Sequence, residues 1–219
     1  MMASSRARGT RPESGRSGEA SRALVERRLE ESSEVKRALR AQAGLIADIA
    51  HTVVRAYRRG GKGIFFGNGG SAADASHLAA ELLGKYYLKR PSLPALSLDT
   101  NISSLTAIGN DFSFADIFVV QLKALGRPHD VAVGLSTSGD SENVIRALRA
   151  ARRMGMVTVG FTGASGGHMY RHADYCLRVP SRDTARIQEG HITAGHIVCE
   201  IVESTLFAAR PKTSKRTRG

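Results

Sequence analysis

Hydrophobic residues along this chain follow two alternating patterns, short continuous runs and helical repeats. The continuous runs predict five buried strands, at Gly63–Phe66, Ala95–Leu98, Val131–Leu135, Val157–Phe161 and Tyr175–Val179. The repeats between them predict helices at Ala72–Leu83, Ile102–Ile108, Phe114–Leu125 and Glu142–Met154, a short piece near Gly167–Arg171, and a last helix over Ile187–Ala208. Strands that alternate with helices predict an α/β fold, a doubly wound parallel sheet with right-handed crossovers.

A helical region also precedes the first strand. From Ser21 to Arg59 the apolar positions follow helical spacing, with a break expected near Ser32 or near Gly44. We interpret these helices as an N-terminal part of a single domain at residues 21–209. Their apolar faces are too long for a simple lid, so we expect them to form an oligomer interface in a homotetramer.

The two ends of the chain differ from this domain in composition. Residues 1–20 are rich in serine, glycine and arginine, and residues 210–219 carry five basic residues and no acid, so we expect two disordered tails. Of the net charge of +12, residues 1–22 contribute +3 and residues 210–219 contribute +5. The domain itself is only mildly basic, which suits a protein that handles phosphate esters. The tails could touch nucleic acid non-specifically, but a nucleic-acid partner is not expected.

Two further features bear on the cellular compartment. No apolar run reaches the length of a membrane span, and the first residues lack the apolar segment of a signal peptide. The two cysteines lie far apart without metal-type spacing, which favours reduced thiols. We therefore expect a cytoplasmic protein with no membrane partner.

The first candidate site follows the first strand, where Asn68, Gly69, Gly70 and Ser71 precede a helix. The two glycines permit positive φ and a close approach of a ligand to the backbone, and Ser71 suits the N-cap of the helix. A strand, a glycine turn and a helix start together direct backbone N–H groups at an anion. The spacing matches neither a P-loop nor a dinucleotide fingerprint.

The helix after this turn carries His77 and Glu81, four residues apart and therefore on one face. An imidazole and a carboxylate at this spacing can share a metal ion or act as an acid–base pair. An ordinary surface ion pair has the same spacing, so both interpretations stay open on these residues alone.

A second candidate site follows the third strand at residues 136–141, whose sequence is Ser-Thr-Ser-Gly-Asp-Ser. Three hydroxyls, a glycine and Ser141 at the expected N-cap place several donors at a helix start, which suits a phosphate monoester. Asp140 is unfavourable beside an anion unless its carboxylate points away. The alternative is an ordinary serine-rich turn in which Ser141 only caps the helix.

Several motifs then follow one another in a recognisable order. They are Asn68-Gly-Gly-Ser71, His77 with Glu81, Ala107-Ile-Gly-Asn-Asp111, the serine-rich segment 136–141, Phe161-Thr-Gly163, and Arg186-Ile-Gln-Glu189 followed by His196. Together they resemble the sugar isomerase (SIS) domain family, and within it the phosphoheptose isomerases, over roughly residues 24–207. The resemblance implies a SIS, flavodoxin-like fold with five parallel strands flanked by helices. It also implies a homotetramer with active sites at subunit interfaces.

The resemblance further implies an aldose–ketose isomerase that converts D-sedoheptulose 7-phosphate to D-glycero-D-manno-heptose 7-phosphate by enediol proton transfer. In that family the reaction is the first step toward ADP- or GDP-heptose for the lipopolysaccharide core or other surface glycans. The implied cofactor is one Zn²⁺ per subunit, with the ligands His77, Glu81, Gln188 and His196. The implied catalytic residues are Glu81 and His196. The implied substrate-binding residues are Asn68, Gly69, Gly70, Ser71, Glu81, Asn110, Asp111, Ser136, Thr137, Ser138, Ser141 and Gln188.

Gln188 and His196 raise a geometric question. They are eight residues apart, which on a continuous helix is a rise of about 12 Å and a rotation of roughly 80°. Either Gln188 lies at or before the start of the helix, or two copies of this segment contribute to one site. In addition, Ala185 stands where some relatives carry an acid, so the role of that acid is missing or is taken by Asp183.

The alternative function is a non-catalytic SIS-fold protein that binds a replication initiator or another protein partner. A relative of that kind lacks the final histidine, whereas His77, Glu81 and His196 are all present here, which favours the enzyme. A transcriptional or ligand-sensing module is a third interpretation, but no DNA-binding helix-turn-helix precedes the core.

Overall fold

Five parallel strands form the centre of the computed structural model, which describes residues 14–208. They are β1 (Gly63–Gly67), β2 (Ala95–Ser97), β3 (Val131–Leu135), β4 (Val157–Thr162) and β5 (Tyr175–Arg178). Their order in the sheet is β2-β1-β3-β4-β5, with every neighbouring pair parallel. This confirms the predicted doubly wound sheet, and each strand end lies within one residue of its predicted position.

Within residues 14–208, seven α-helices surround the sheet. They are α1 (Ser14–Ala38), α2 (Ala43–Arg58), α3 (Gly70–Leu83), α4 (Ile102–Asp111), α5 (Ile117–Leu125), α6 (Glu142–Arg153) and α7 (Thr184–Phe207). Short 3-10 turns occur at Leu39–Gln42, Phe114–Asp116 and Met169–Arg171. Among the described residues, no helix is long and apolar enough to cross a membrane.

The alternation of side chains along each strand divides the core into two layers. Phe65 of β1 and Val133 of β3 face a layer formed by α2, α3 and α7. Ile64 and Phe66 face the opposite layer, formed largely by α5 and α6. Because successive strand residues point to opposite faces, one short apolar run serves both layers.

The N-terminal region differs from the prediction in two places. Helix α1 begins at Ser14, so residues 14–20, which were expected to be disordered and outside the domain boundary at residue 21, are helical. The prediction gave too much weight to two glycines in a segment that contains no proline after Pro12. Of the two positions predicted for the break between the first helices, the one near Ser32 is wrong, whereas the one near Gly44 lies close to the observed break. Ser32 and Ser33 stay within α1, where Lys36 donates to the Ser32 hydroxyl over 3.1 Å, and the break occurs at Leu39–Gln42. Residues 1–13 and 209–219, which include most of both predicted tails, lie outside the described residues.

Candidate active site

The turn between β1 and α3 is built around Gly69, whose φ of 56° is one that other residues rarely adopt. Gly69 is the N-cap of α3, and no side chain caps the helix. The prediction that Ser71 is the N-cap was therefore wrong, because the glycine starts the helix earlier and leaves Ser71 buried in its first turn. The next residue, Gly70, has the side-chain amide of Gln188 packed so closely against it that a Cβ there would collide with the amide.

The loop between β3 and α6 collects its hydroxyl groups at one point. Ser136 is buried, and its hydroxyl oxygen lies 2.8 Å from that of Ser141 and 3.4 Å from that of Ser138. Ser141 does occupy the N-cap position of α6, as predicted, but its side chain makes no capping bond. The Ser141 hydroxyl therefore belongs to the hydroxyl cluster at the start of α6, where the helix dipole also favours an anion.

Asp140 points away from this cluster. Its carboxylate accepts the backbone N–H of His168 over 2.8 Å and lies 2.6 Å from the imidazole Nδ1 of the same residue. These hydrogen bonds, the backbone one first, hold the pKa of Asp140 below its usual value. Gly139, with a φ of 74°, brings the loop against the backbone of Gly166, where a Cβ would have no room. The carboxylate of Asp140 is thus held away from the hydroxyl cluster, as an anion site at this loop requires.

The two turns are joined by a pair of side-chain amides. Asn68 and Asn143 exchange two hydrogen bonds, each of 2.9 Å, although they are 75 residues apart in the chain. Asn143 was missed by the sequence analysis, and its position in the first turn of a helix that follows a polar loop was the only available signal. The amide of Asn68, predicted to bind substrate, is therefore also a link that holds the glycine turn beside the serine loop.

A cleft of about 430 Å³ opens beside the glycine turn. It is lined by Asn68, Gly69, Asp99, Thr106 and Phe114, among others. Burial raises the pKa of Asp99 to about 7, although hydrogen bonds from the Ser97 hydroxyl and the Gly67 N–H oppose the rise. Asp99 is thus a carboxyl group that changes its protonation state near neutral pH.

Asn110 and Asp111, also predicted to bind substrate, lie at the C-terminal end of α4. Both are exposed, and Asn110 donates a hydrogen bond of 2.9 Å to Asp111. The preceding residue, Gly109, lines the cleft. Both side chains therefore flank the cleft rather than line it.

His77, Glu81 and His196, here called the triad, meet on the outer face of α3 and α7. The Nε2 atoms of His77 and His196 are 2.9 Å apart, and His77 Nε2 is 3.3 Å from Glu81 Oε1. One ligand atom from each of the three residues lies within 4.8 Å of the others. The helices approach this closely because Gly195, next to His196, packs directly against the side chain of Leu78, next to His77.

The donor set of the triad suits a zinc ion. Two imidazole nitrogens and one carboxylate oxygen are common zinc ligands, with bond lengths near 2.0–2.2 Å. Two ligands at such lengths on a tetrahedral ion lie about 3.3 Å apart, close to the separations of 2.9 and 3.3 Å seen here. Two imidazole nitrogens that face each other also repel through their lone pairs unless a proton or a cation lies between them. The residues present therefore fit the implied metal.

Gln188 is not near the triad within one chain. Its amide lies against Gly70 at the start of α3, whereas His77 is seven residues further along that helix, about 10 Å by its rise. Gln188 and His196 both lie inside the continuous helix α7, so the first option, that Gln188 precedes the helix, is wrong. Asp183 instead caps α7 by accepting the N–H groups of the next helical residues.

Tyr86 is a neighbour of the triad that the sequence analysis missed. Its ring centroid is 5.7 Å from that of His196 and 4.3 Å from that of Tyr87. Burial and the adjacent Tyr87 raise the pKa of Tyr86 to about 12, so its hydroxyl is protonated at neutral pH. Two consecutive tyrosines in a chain with 5% aromatic residues were the available signal.

This chain is similar in sequence to a known protein family and to a named relative. The family model described as the SIS domain matches residues 29–163. A phosphoheptose isomerase of Roseiflexus sp. (strain RS-1) is 57% identical over 180 residues, which are 82% of this chain and 91% of that protein.

Two solved structures resemble the whole domain. The phosphoheptose isomerase GmhA from Neisseria gonorrhoeae is 40% identical with a TM-score of 0.79, covering 84% of this chain and 98% of that one. A phosphoheptose isomerase from Francisella tularensis is 36% identical with a TM-score of 0.80 over the same shares of both chains. The similarity thus extends over sequence and fold together.

Proposed function

Because the chain belongs to the SIS domain family, and within it to the phosphoheptose isomerases, we propose that it interconverts D-sedoheptulose 7-phosphate and D-glycero-D-manno-heptose 7-phosphate. Its relatives are named as isomerases of phosphorylated heptoses, so a phosphosugar is the natural substrate class. The observation that carries the proposal is the triad, which combines a carboxylate and two imidazoles. The relatives are named as enzymes, which favours this proposal over the protein-binding alternative.

The reaction moves a carbonyl group between C2 and C1, which requires two kinds of proton transfer. In the direction of the aldose, the carboxylate of Glu81 takes a proton from C1 and returns it to C2. His196 moves the proton between the oxygens on C1 and C2, because its imidazole can both donate and accept. Glu81 Oε1 and His196 Nε2 lie 3.3 and 2.9 Å from His77 Nε2. Because both atoms lie beside the same nitrogen, both side chains can reach one region of a bound substrate.

We assign one Zn²⁺ per subunit to His77, Glu81 and His196, with Gln188 as a fourth ligand from a second copy of the chain. Bound there, the ion supplies Lewis acidity that polarises the carbonyl group of the substrate. The N-to-N orientation of the two histidines supports this assignment over a simple surface ion pair. His77 then has no proton to carry, and its role is to hold the ion.

The phosphate group is assigned to Ser136, Thr137, Ser138 and Ser141. The hydroxyl cluster at the N-terminus of α6 offers neutral donors, and Asp140 is held away by His168. We assign the sugar chain to the cleft beside the glycine turn, with Asn68, Gly69, Gly70, Ser71, Asn110 and Asp111 around it.

A complete site then requires more than one copy of the chain. The triad lies about 10 Å along α3 from the glycine turn, and Gln188 lies at that turn. Helix α1 supplies a surface for association, because residues 18–30 are all exposed and include Leu24, Val25 and Leu29. An apolar groove of about 350 Å³, lined by Leu39 and Ile197 among others, lies between α7 and the junction of α1 with α2. We therefore propose a homotetramer with active sites between subunits.

The proposed place of the reaction is the cytoplasm, at the first step toward nucleotide-linked heptose for lipopolysaccharide core or other surface glycans. Cys176 and Cys199 are both free thiols, in line with the proposed reducing compartment.

A direct assay tests the proposed reaction. Purified protein is incubated with sedoheptulose 7-phosphate, with and without added zinc, and the aldose product is followed by NMR. We expect aldose formation that a chelator abolishes and zinc restores. Absence of both bound metal and isomerase activity would reject the proposed reaction. Turnover of a shorter ketose phosphate alone would retain the isomerase and reject the substrate.

A subunit-mixing experiment tests the interfacial site. One parent carries Glu81→Gln and the other carries Ser138→Ala with Ser141→Ala, and the two are co-expressed with different tags and isolated as mixed oligomers. If loop and triad of different copies form one site, the mixture is more active at low substrate than either parent. Mixed oligomers no more active than the parents would place loop and triad of one chain in one site.

A further inference from the structure

A buried ion pair lies beside the triad and joins the two helices that carry it. Glu203 on α7 and Arg90, in the segment after α3, approach to 2.7 Å between Oε1 and Nε, and their side chains are only 2% and 1% exposed. We propose that this pair, here called the clamp, is a positioning device that sets the place of His77 and Glu81 relative to His196. The inference rests on the role proposed above for the triad.

Arg90 holds the end of α3. Its guanidinium donates to the backbone carbonyls of Glu81 and Leu82, each over 3.0 Å. These carbonyls lie in the last turn of the helix, where no intrahelical donor is available and a cation is favoured by the helix dipole. Because one of the two belongs to Glu81 itself, Arg90 fixes the backbone of a triad residue directly.

Glu203 holds both Arg90 and the segment that follows α3. Its carboxylate accepts the backbone N–H groups of Tyr86, Tyr87 and Leu88 at 2.9, 2.6 and 2.8 Å. Burial alone would raise the pKa of Glu203, but these three N–H groups and Arg90 outweigh it and lower the pKa to about 2. The carboxylate of Glu203 is therefore ionised at neutral pH.

The clamp reaches the triad from a second direction through Tyr86. The backbone of Tyr86 is bonded to Glu203, and its ring packs against His196 with centroids 5.7 Å apart. Glu203 follows His196 by seven residues, two turns of α7, and so lies on nearly the same side of the helix. With the contact of Leu78 and Gly195, the clamp gives α3 and α7 two points of attachment on one side, which sets the angle between them.

The chain contains a second buried ion pair that provides a matched control. Asp130 is 2.6 Å from Lys62 Nζ, with side chains 2% and 21% exposed. Asp130 also accepts the backbone N–H groups of Lys62 and Arg127 over 2.9 and 2.8 Å. These residues lie just before β1 and β3, away from α3 and α7. Loss of either carboxylate leaves a buried cation unpaired, but only the clamp borders the triad.

The test compares Glu203→Gln and Arg90→Lys with the control Asp130→Asn. All are measured at a temperature well below their melting points, where circular dichroism shows a folded protein. The readouts are the dissociation constant for zinc by chelator competition, the NMR shifts of the His77 and His196 rings in metal-free protein, and kcat at saturating zinc. Arg90→Lys keeps the charge that Glu203 requires but cannot bridge the two carbonyls of α3. It serves as the second variant if Glu203→Gln does not fold.

We expect Glu203→Gln to weaken zinc binding about 10- to 100-fold, a typical loss when groups that orient metal ligands are changed. Arg90→Lys should show a smaller loss in the same direction, and both should shift the two histidine signals. Asp130→Asn should lower the melting temperature yet leave zinc affinity and histidine shifts within twofold of the wild type. Wild-type affinity and unchanged shifts in the folded clamp variants would overturn the inference, as would equal losses in Asp130→Asn. The histidine shifts do not depend on metal, so the clamp remains testable even if the wild type proves to lack zinc and isomerase activity.

Discussion

The two loops at the carboxyl end of the sheet and the triad on the α3–α7 face are built in opposite ways. The serine loop draws its hydroxyl groups from six consecutive residues and places them at the start of one helix. The triad draws its members from two helices, and His77 and His196 are 119 residues apart. The hydroxyl groups of the loop are neutral, whereas the triad consists of a carboxylate and two imidazoles.

This difference shows how the two halves of the proposed site depend on the rest of the molecule. The loops are held by their strands, by their glycines, by the amide pair of Asn68 and Asn143, and by the hydrogen bonds between His168 and Asp140. The triad needs the correct angle between two long helices, and so depends on Gly195 and on the clamp. Changes far from the triad in sequence should therefore alter catalysis, while changes that affect the loops should be local.

The largest expected effect is at the triad itself. Glu81→Gln and His196→Ala each remove a proton carrier, and general acid–base groups contribute about 10²–10⁴-fold to the rate. We expect kcat to fall by that factor without recovery on added zinc. His77→Ala removes a ligand only, so added zinc should restore part of the rate. Glu142→Gln, an exposed change on α6, is the control. A Glu81→Gln or His196→Ala protein near the wild-type rate would contradict the assignment.

The serine loop should behave differently, with its effect on binding rather than on turnover. Ser138→Ala and Ser141→Ala each remove a hydrogen bond to a charged phosphate, costing about 1.5–3 kcal/mol. That corresponds to a rise in KM of about 10- to 150-fold with a smaller change in kcat. Ser204→Ala, at an exposed position near the end of α7, should change neither. Unchanged KM in both loop variants would show that the phosphate binds elsewhere.

A third comparison concerns two histidines on α7, His196 in the triad and His191 in the core. His191 is fully buried, donates a hydrogen bond of 3.1 Å from its Nε2 to the carbonyl of Thr162, and has its pKa lowered by burial to about 4. The unfolded chain has an ordinary histidine pKa near 6.5, so it binds the proton first as the pH falls. The free energy of unfolding should decrease between pH 6.5 and pH 4 by about 3 kcal/mol. Urea unfolding across this range measures the slope, and His191→Gln should reduce it. An equal slope in the variant would assign the acid sensitivity to other groups.

The smallest effect is expected at the ends of the chain, which differ from both regions in composition. Removing residues 1–13 and 210–219 deletes polar and basic sequence that we expect to bury no core. Activity and melting temperature should change by less than the error of the measurements. A chain that also lacks residues 14–30 is the informative comparison, because it loses the exposed apolar face of α1 and should no longer assemble as a tetramer by light scattering.

Much of the secondary structure could be predicted from the sequence. The strands were predicted within one residue because short apolar runs between polar, proline or glycine residues, such as Ile64–Phe66 between two glycines, have few other interpretations. The errors occurred where local signals compete, as at Ser32 within α1 and at Ser71 after Gly69. In both places the prediction assigned a helix break or an N-cap to a serine, whereas the backbone places the break or the cap at neighbouring residues.

The hydrogen-bond and ion-pair partners of the polar side chains could not be predicted from sequence patterns. Tyr86 and Glu203 are 117 residues apart, Arg90 and Glu203 are 113 apart, and no spacing rule connects them. Gln188 and His196 are the converse case, because they are close in the sequence but lie at different places in one chain. They occur in one motif, yet one chain places Gln188 at the start of α3 and His196 at the triad.

The sequence by itself therefore determined the order of strands and helices, the family and the types of residue available for chemistry, because periodicity and short motifs are properties of neighbouring residues. Only the tertiary structure decided which of those residues meet, which are held by other groups, and which remain open to a ligand. The physical reason is that a buried polar group must find a hydrogen-bond partner wherever packing brings one. Asp140, Asn68 and Glu203 are satisfied in this way, whereas the side chains of His77 and Glu81 are left partly exposed.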